Sequence, residues 1–268
     1  MHTNVDALFS GLWQDYVKIT PSADKIHDLL GDKSGQSDIV NDHIALRTFN
    51  LPKVGIDKLA QHLLNLGYEA KGDYDFEAKK LSAKHFEHSD LTKPKVFISE
   101  LRVEEMPEKV QNIIHKMIDQ MPEDAVNQTD FLYSGTHWQV SSQDYKTLLE
   151  HSEYAAWMSA WGYRANHFTV SVNHLKNVKS LEEVNQILKN AGYKLNTSGG
   201  EIKGGKDVCL AQSSTMADHA VAKFSDTELT IPSCFYEFAE RFNLPSGELY
   251  QGFVAASADK IFESTNAK

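Results

Sequence analysis

The 268 residues, 41% hydrophobic and 24% charged, are enough to bury a real core in one large domain or two fused modules. A formal charge of −10 disfavours nucleic acid and anionic membrane as partners, and no apolar run reaches the length of a membrane span. The opening residues, Met1-His2-Thr3-Asn4-Val5-Asp6, lack the basic start and apolar stretch of a signal peptide, so a cytoplasmic location is expected.

Apolar residues at Val5, Leu8, Phe9, Leu12, Trp13 and Tyr16 predict a helix over 5–18 with one buried stripe. A second helix is expected from Pro21, with Thr20 as its cap, to Gly31, followed by a polar loop from Asp32 to Asp38. Residues 41–49 then alternate as a strand. His43, Ala45, Arg47 and Phe49 share one face, and Ile44, Leu46 and Thr48 the other. An imidazole and a guanidinium two pleats apart, on a segment this apolar, need a metal, an anion or a carboxylate beside them.

A helix at about 54–66 follows, closing at Gly67-Tyr68. From there to Lys95 only short strand-like pieces and polar turns are legible. Residues 96–103 form a strand with Glu100 on the face of Ile98 and Arg102. Helices are expected at 107–121 and 143–161, the latter rich in aromatics that suit a core between modules. A strand from His167 to Val172, a helix from Leu181 to Asn190, and strands at 208–212, 219–224 and 233–238 complete the chain. Gly199-Gly200 and Gly204-Gly205 read as turns. Cys209 and Cys234 fit no metal or redox spacing and are expected as reduced core residues. Only four of 27 basic residues are arginine (Arg47, Arg102, Arg164 and Arg241), which makes each a candidate for carboxylate binding or a defined ion pair.

The two halves resemble each other. Asp42-His43 matches Asn166-His167, and each histidine precedes a helix that closes on Gly-Tyr, at Gly67-Tyr68 and Gly192-Tyr193. Each half ends in a strand with an embedded glutamate, Glu100 and Glu237. The pattern predicts an α+β fold of two paired β-α-β-β-β modules forming a curved sheet around a cleft. The expected layout is a single domain over 1–268, with N-terminal helices at 1–40 and the first module at 41–103. A helical connector spans 104–165, the second module 166–240 and a C-terminal segment 241–268.

In that arrangement His43, His167 and Glu237 converge, with Glu100 as a possible fourth inward group, although an ion pair of Glu100 with Arg102 or Arg47 is the simpler expectation. For Glu237 the competing assignment is a salt bridge to Arg241. Two imidazoles and a carboxylate suit non-haem Fe(II) chemistry, but ligand type alone also admits zinc, manganese or nickel. Arg164 is a second candidate for the pocket if a bulge turns it inward. His137 and His219 could support the site, and the other histidines are expected in solvent.

These segments, Asp42-His43-Ile44-Ala45-Leu46-Arg47-Thr48-Phe49, Asn166-His167-Phe168-Thr169 and Phe235-Tyr236-Glu237-Phe238, resemble the 2-oxoadipate dioxygenase/decarboxylase family within the vicinal-oxygen-chelate superfamily. The resemblance covers about residues 5 to 255. It implies that His43, His167 and Glu237 bind Fe(II) and that Arg47 grips the substrate. It also implies an enzyme that uses O2 to convert a 2-oxo dicarboxylic acid, 2-oxoadipate, to 2-hydroxyglutarate and CO2 in lysine breakdown. The characterised oxygenases of the family are longer, so parts of the pocket are expected to differ. The rival expectations are an O2-independent metal-dependent lyase, isomerase or hydrolase on the same scaffold, and a non-catalytic binding protein whose inward groups satisfy one another.

Overall fold

The structure, a computed structural model, describes residues 1–31 and 39–266, so the expected loop from Asp32 to Asp38 lies outside the described residues. Two N-terminal helices, α1 (Val5–Ile19) and α2 (Pro21–Leu30), precede the first repeat: β1 (Asn41–Phe49), α3 (Ile56–Leu64), β2 (Tyr68–Phe76), β3 (Leu81–His88) and β4 (Lys95–Leu101). Helices α4 (Glu108–Asp119), α5 (Ser142–His151) and α6 (Glu153–Trp161) connect it to the second repeat. That repeat comprises β5 (Ala165–Ser171), α7 (Leu181–Asn190), β6 (Lys203–Gly205), β7 (Leu210–Ser214) and β10 (Phe235–Arg241), with a hairpin of β8 (His219–Lys223) and β9 (Glu228–Pro232) inserted before β10. Helix α8 (Ala255–Ile261) follows.

One eight-stranded sheet runs β2-β3-β4-β1-β5-β10-β7-β6, so each half contributes four strands in mirrored order. The halves meet where β1 and β5 pair antiparallel, with His43 opposite Thr169 and Ala45 opposite His167. That reciprocal register is what a two-fold relation between the halves requires. Helix α8 touches both outer strands, β2 and β6, so the sheet curls into a half-barrel with α8 across its opening.

The repeat extends to backbone detail. Gly67 and Gly192 end α3 and α7 in the left-handed region (φ +89° and +88°), where a side chain would strain the chain. Lys80 and Cys209 occupy left-handed positions in the turns before β3 and β7. The glutamates correspond as well, but not as the sequence suggested. Lys95 lies opposite His43 and Phe235 opposite His167, so Glu237 corresponds to Phe97, and Glu100 corresponds to Glu240. Glu100 accepts the Ile56 N–H at 2.8 Å, and Glu240 accepts the Leu181 N–H at 2.9 Å. Each carboxylate therefore caps the first turn of its own crossover helix, where exposed amides and the helix dipole favour a negative charge.

Other departures have local causes. The expected helix 143–161 breaks at Ser152, whose φ of −155° ends α5 and whose hydroxyl caps α6 by accepting from Ala155 N–H. Strand β2, at the sheet edge, turns Gly72, Tyr74 and Phe76 inward between exposed Asp73 and Asp75, and its glycine and acidic residues, poor strand formers, hid it among the polar turns. Lys203 to Gly205, read as part of a turn, forms the short edge strand β6. Thr20 makes no cap bond, and Pro21 alone opens α2. The aromatic run anchors the hairpin, with the Trp161 indole N–H donating to Pro232 O at 2.9 Å. The outer face of the sheet packs Trp13 and Tyr16 of α1 on Phe168 and Tyr236, burying apolar area worth about 1.5–3 kcal/mol per side chain.

Candidate metal centre

β1, β5 and β10 are consecutive in the sheet, and His43, His167 and Glu237 all point to its concave face. His167 Nε2 lies 3.0 Å from Glu237 Oε2, and His43 Nε2 lies 3.5 Å from Glu237 Oε1. One donor atom from each lies within 4.8 Å of the others, a spacing that small side-chain movements bring to bonds of about 2.1 Å around a common ion. Among the described residues no other group of three or more His, Cys, Asp or Glu side chains converges in this way.

Each imidazole is oriented from behind. His43 Nδ1 bonds Asp42 Oδ1 at 2.8 Å, and His167 Nδ1 bonds Asn166 Oδ1 at 3.1 Å, which leaves both Nε2 atoms facing inward. Asp42 is in turn gripped by Arg241, Nε to Oδ2 at 2.6 Å and Nη2 to Oδ1 at 2.9 Å. Arg241 also donates to the Tyr250 and Gly252 carbonyls, fixing the segment that sets Phe253 edge-on to His43. The alternative pairing of Glu237 with Arg241 is therefore not formed. Glu237 instead accepts from Gln212 Nε2 at 2.6 Å, and Thr169 Oγ1 sits 3.1 Å from His43 Nε2.

Charge balance at the centre follows from burial and these neighbours. Burial alone would raise the Glu237 carboxyl, but His43 and His167 pull it down to about 2. Burial opposes a charge on His43, yet Glu237 and Asp42 outweigh it and raise its pKa; for His167 burial wins and the pKa falls. Burial also pushes Asp42 up, but Arg241 and His43 hold it well below the usual carboxylate range. The residues fit a divalent cation. They provide a fully buried anionic oxygen, Glu237 Oε2, left without a hydrogen-bond partner, beside two imidazole nitrogens with their other faces already engaged.

Arg47 lies four residues along β1 from His43 on the same face and lines the same cavity, with Ala45, Phe97, Ser99, Phe253, Ile261 and Phe262. It is 2% exposed, its Nη2 donates to Thr265 Oγ1 at 3.1 Å, and its Nε and Nη1 are buried with no hydrogen bond. The guanidinium is walled by Tyr154 and Trp157, at 4.8 and 4.9 Å from the ring centres.

Arg164 does not join the site. Three residues from His167 it has the opposite parity, and it bonds Trp161 O and faces Asp15 of α1 at 3.5 Å. Glu100 is absent from the concave face for the same reason and pairs with neither Arg102 nor Arg47; Arg102 engages Asp75 and Glu105. His137 bonds Ser134, and His219 opens the hairpin in an exposed position. His62 and His85, expected in solvent, are buried: His62 bonds Val126 O, and His85 bridges Tyr74 and Glu87. The supporting groups Asp42, Asn166, Thr169 and Gln212 were not assigned from the sequence. The repeated acid or amide directly before each histidine was the signal available for the first two.

A curled sheet of two β-α-β-β-β repeats carries at its seam a His-His-Glu group that could hold a metal ion, and a protein from Ralstonia eutropha described as of the glyoxalase superfamily shares the fold (TM-score 0.76, 20% identity, 94% of this chain and 86% of that one). Residues 17–248 match the family described as 2-oxoadipate dioxygenase/decarboxylase. The Arabidopsis thaliana chloroplastic 2-oxoadipate dioxygenase/decarboxylase is 36% identical over 93% of this chain and 74% of its own length. Hydroxyglutarate synthase from Oryza sativa, solved in complex with 2-oxoadipate, superposes with a TM-score of 0.88 at 34% identity, over 97% of this chain and 91% of that one. A protein from Shewanella frigidimarina carrying a hydrolase label superposes at 0.91 with 58% identity, over 96% of this chain and all of that one. The chain belongs to the 2-oxoadipate dioxygenase/decarboxylase family.

Proposed function

We propose that this protein is an Fe(II)-dependent dioxygenase that decarboxylates a 2-oxo dicarboxylic acid, with 2-oxoadipate and O2 giving 2-hydroxyglutarate and CO2. The observation that carries the reading is a His-His-Glu centre four residues along one strand from a buried arginine with unmade hydrogen bonds. His43, His167 and Glu237 hold the metal, which when bound supplies Lewis acidity and the electrons that let O2 react.

The rest of the chemistry belongs to side chains. Asp42 and Asn166 fix both imidazoles with Nε2 inward, and Gln212 fixes the Glu237 carboxylate. The far carboxylate of the substrate meets donors of Arg47 that are buried and otherwise unbonded, in a charge-assisted contact that decides which end of the molecule faces the metal. Phe97, Phe253, Ile261 and Phe262 line the space between and exclude water, so a reactive intermediate meets substrate before solvent. Lysine breakdown is the metabolic setting proposed with this substrate.

The hydrolase label on the Shewanella protein is tested directly. Anaerobically iron-loaded protein given 2-oxoadipate is expected to stay inert until O2 is admitted, then to release CO2. Turnover that proceeds equally without O2 would assign the site to an O2-independent lyase or hydrolase.

A further inference from the structure

We infer that Glu153 is a specificity-determining residue, a resident counter-ion that competes with the far carboxylate of substrate and product for Arg47. The inference rests on Arg47 being the carboxylate clamp proposed above.

Glu153 Oε1 is 3.7 Å from Arg47 Nη1, near enough to neutralise the guanidinium but too far to hydrogen-bond it. Arg47 Nη2 is engaged by Thr265, while Nε and Nη1 stay buried and unbonded. The two partners have different freedom. Arg47 is held between Tyr154, Trp157 and Phe262 and is almost fully buried. The Glu153 side chain is 26% exposed and opens into a second cavity of about 200 Å³ lined also by Lys79, His151 and Glu263. A carboxylate arriving in the metal pocket can make the bonds that Glu153 does not make, and Glu153 has room and solvent on its other side.

Two carboxylates on one guanidinium repel each other, so each weakens the hold on the other. The product keeps the far carboxylate that the substrate had. Any grip at Arg47 is therefore uniform across the reaction and slows product departure as much as it aids substrate binding. Glu153 loosens that grip and favours exchange. The alternative role is purely local: an acid in the first turn of α6 stabilises the helix start whatever Arg47 does.

Calorimetric titration of iron-loaded protein without O2 separates these. The ligands are 2-oxoadipate, 2-hydroxyglutarate and the monoacid 2-oxohexanoate. Glu153→Gln is expected to tighten both dicarboxylates by about three- to tenfold, leave 2-oxohexanoate unchanged, and have no effect in an Arg47→Gln background. Glu153→Asp, which keeps the charge but draws it back by one methylene, is expected to tighten them less. If Arg47→Gln weakens the monoacid as much as 2-oxoadipate, the clamp reading fails and this inference with it. If Arg47→Gln weakens the dicarboxylates alone, but Glu153→Gln weakens them or leaves them unchanged, the clamp stands and the role of Glu153 is overturned.

Discussion

Asp42 shows how much a single residue behind a ligand controls. Its carboxylate holds His43 by Nδ1 and is itself held twice by Arg241, so the ring has one usable face toward the centre. Asp42→Asn keeps the shape and removes the charge that makes the imidazole a better donor. Metal affinity is expected to fall about 10–100-fold with the fold intact, read by competition with a chelator; unchanged affinity would show that Asp42 serves only the Phe253 segment. Arg47 makes a different prediction. Arg47→Lys keeps a cation but loses the fork, so 2-oxoadipate binding is expected to weaken while metal binding holds. Equal loss of both would make Arg47 a structural residue. His43 and Arg47 were legible because strict alternation on β1 put them on one face of an otherwise apolar segment. Gln212 was not, because a neutral amide in a strand carries no signal until its neighbour Glu237 is known to be buried.

At the level of elements, the repeat explains both what was readable and what misled. The Gly-Tyr closures of α3 and α7 are sequence marks of a backbone requirement, φ near +90°, and they located the duplication correctly. The glutamates misled because both halves carry one in the last strand for helix capping, Glu100 and Glu240, and Glu237 is an additional one three residues earlier. Only the register shows that Phe97 takes its place in the first half. The halves have thus diverged: the second supplies Glu237, the carboxylate of the centre, and the first supplies Arg47 where the second has Ser171. The caps are expected to be structural alone. Glu100→Gln and Glu240→Gln should each cost about 1 kcal/mol by denaturant unfolding, with metal content unchanged. A loss of metal in Glu240→Gln would mean that α7 positions β10 more tightly than the capping bond implies.

Across the whole molecule, the centre lies at the seam, and His167 and Glu237 stand 124 and 194 residues along the chain from His43. A metal there binds both halves of the folded state and only scattered side chains of the unfolded one. Metal at about a thousandfold above its dissociation constant is expected to add about 4 kcal/mol of stability, seen as a fall in Tm on chelation, and His43→Ala is expected to abolish that difference. Strands β6 and β9 were not read from the sequence and β2 was read only as short pieces, and all three lie away from this seam, where strands are short or mix apolar with charged residues.

The most direct test is oxygen consumption by iron-loaded protein given 2-oxoadipate. The expected result is one O2 taken up and one CO2 released per 2-oxo acid in the native protein, and none of either in His43→Ala. Uptake undiminished in that variant, or absent from the iron-loaded native protein, would contradict the assignment of His43, His167 and Glu237 as the reacting centre.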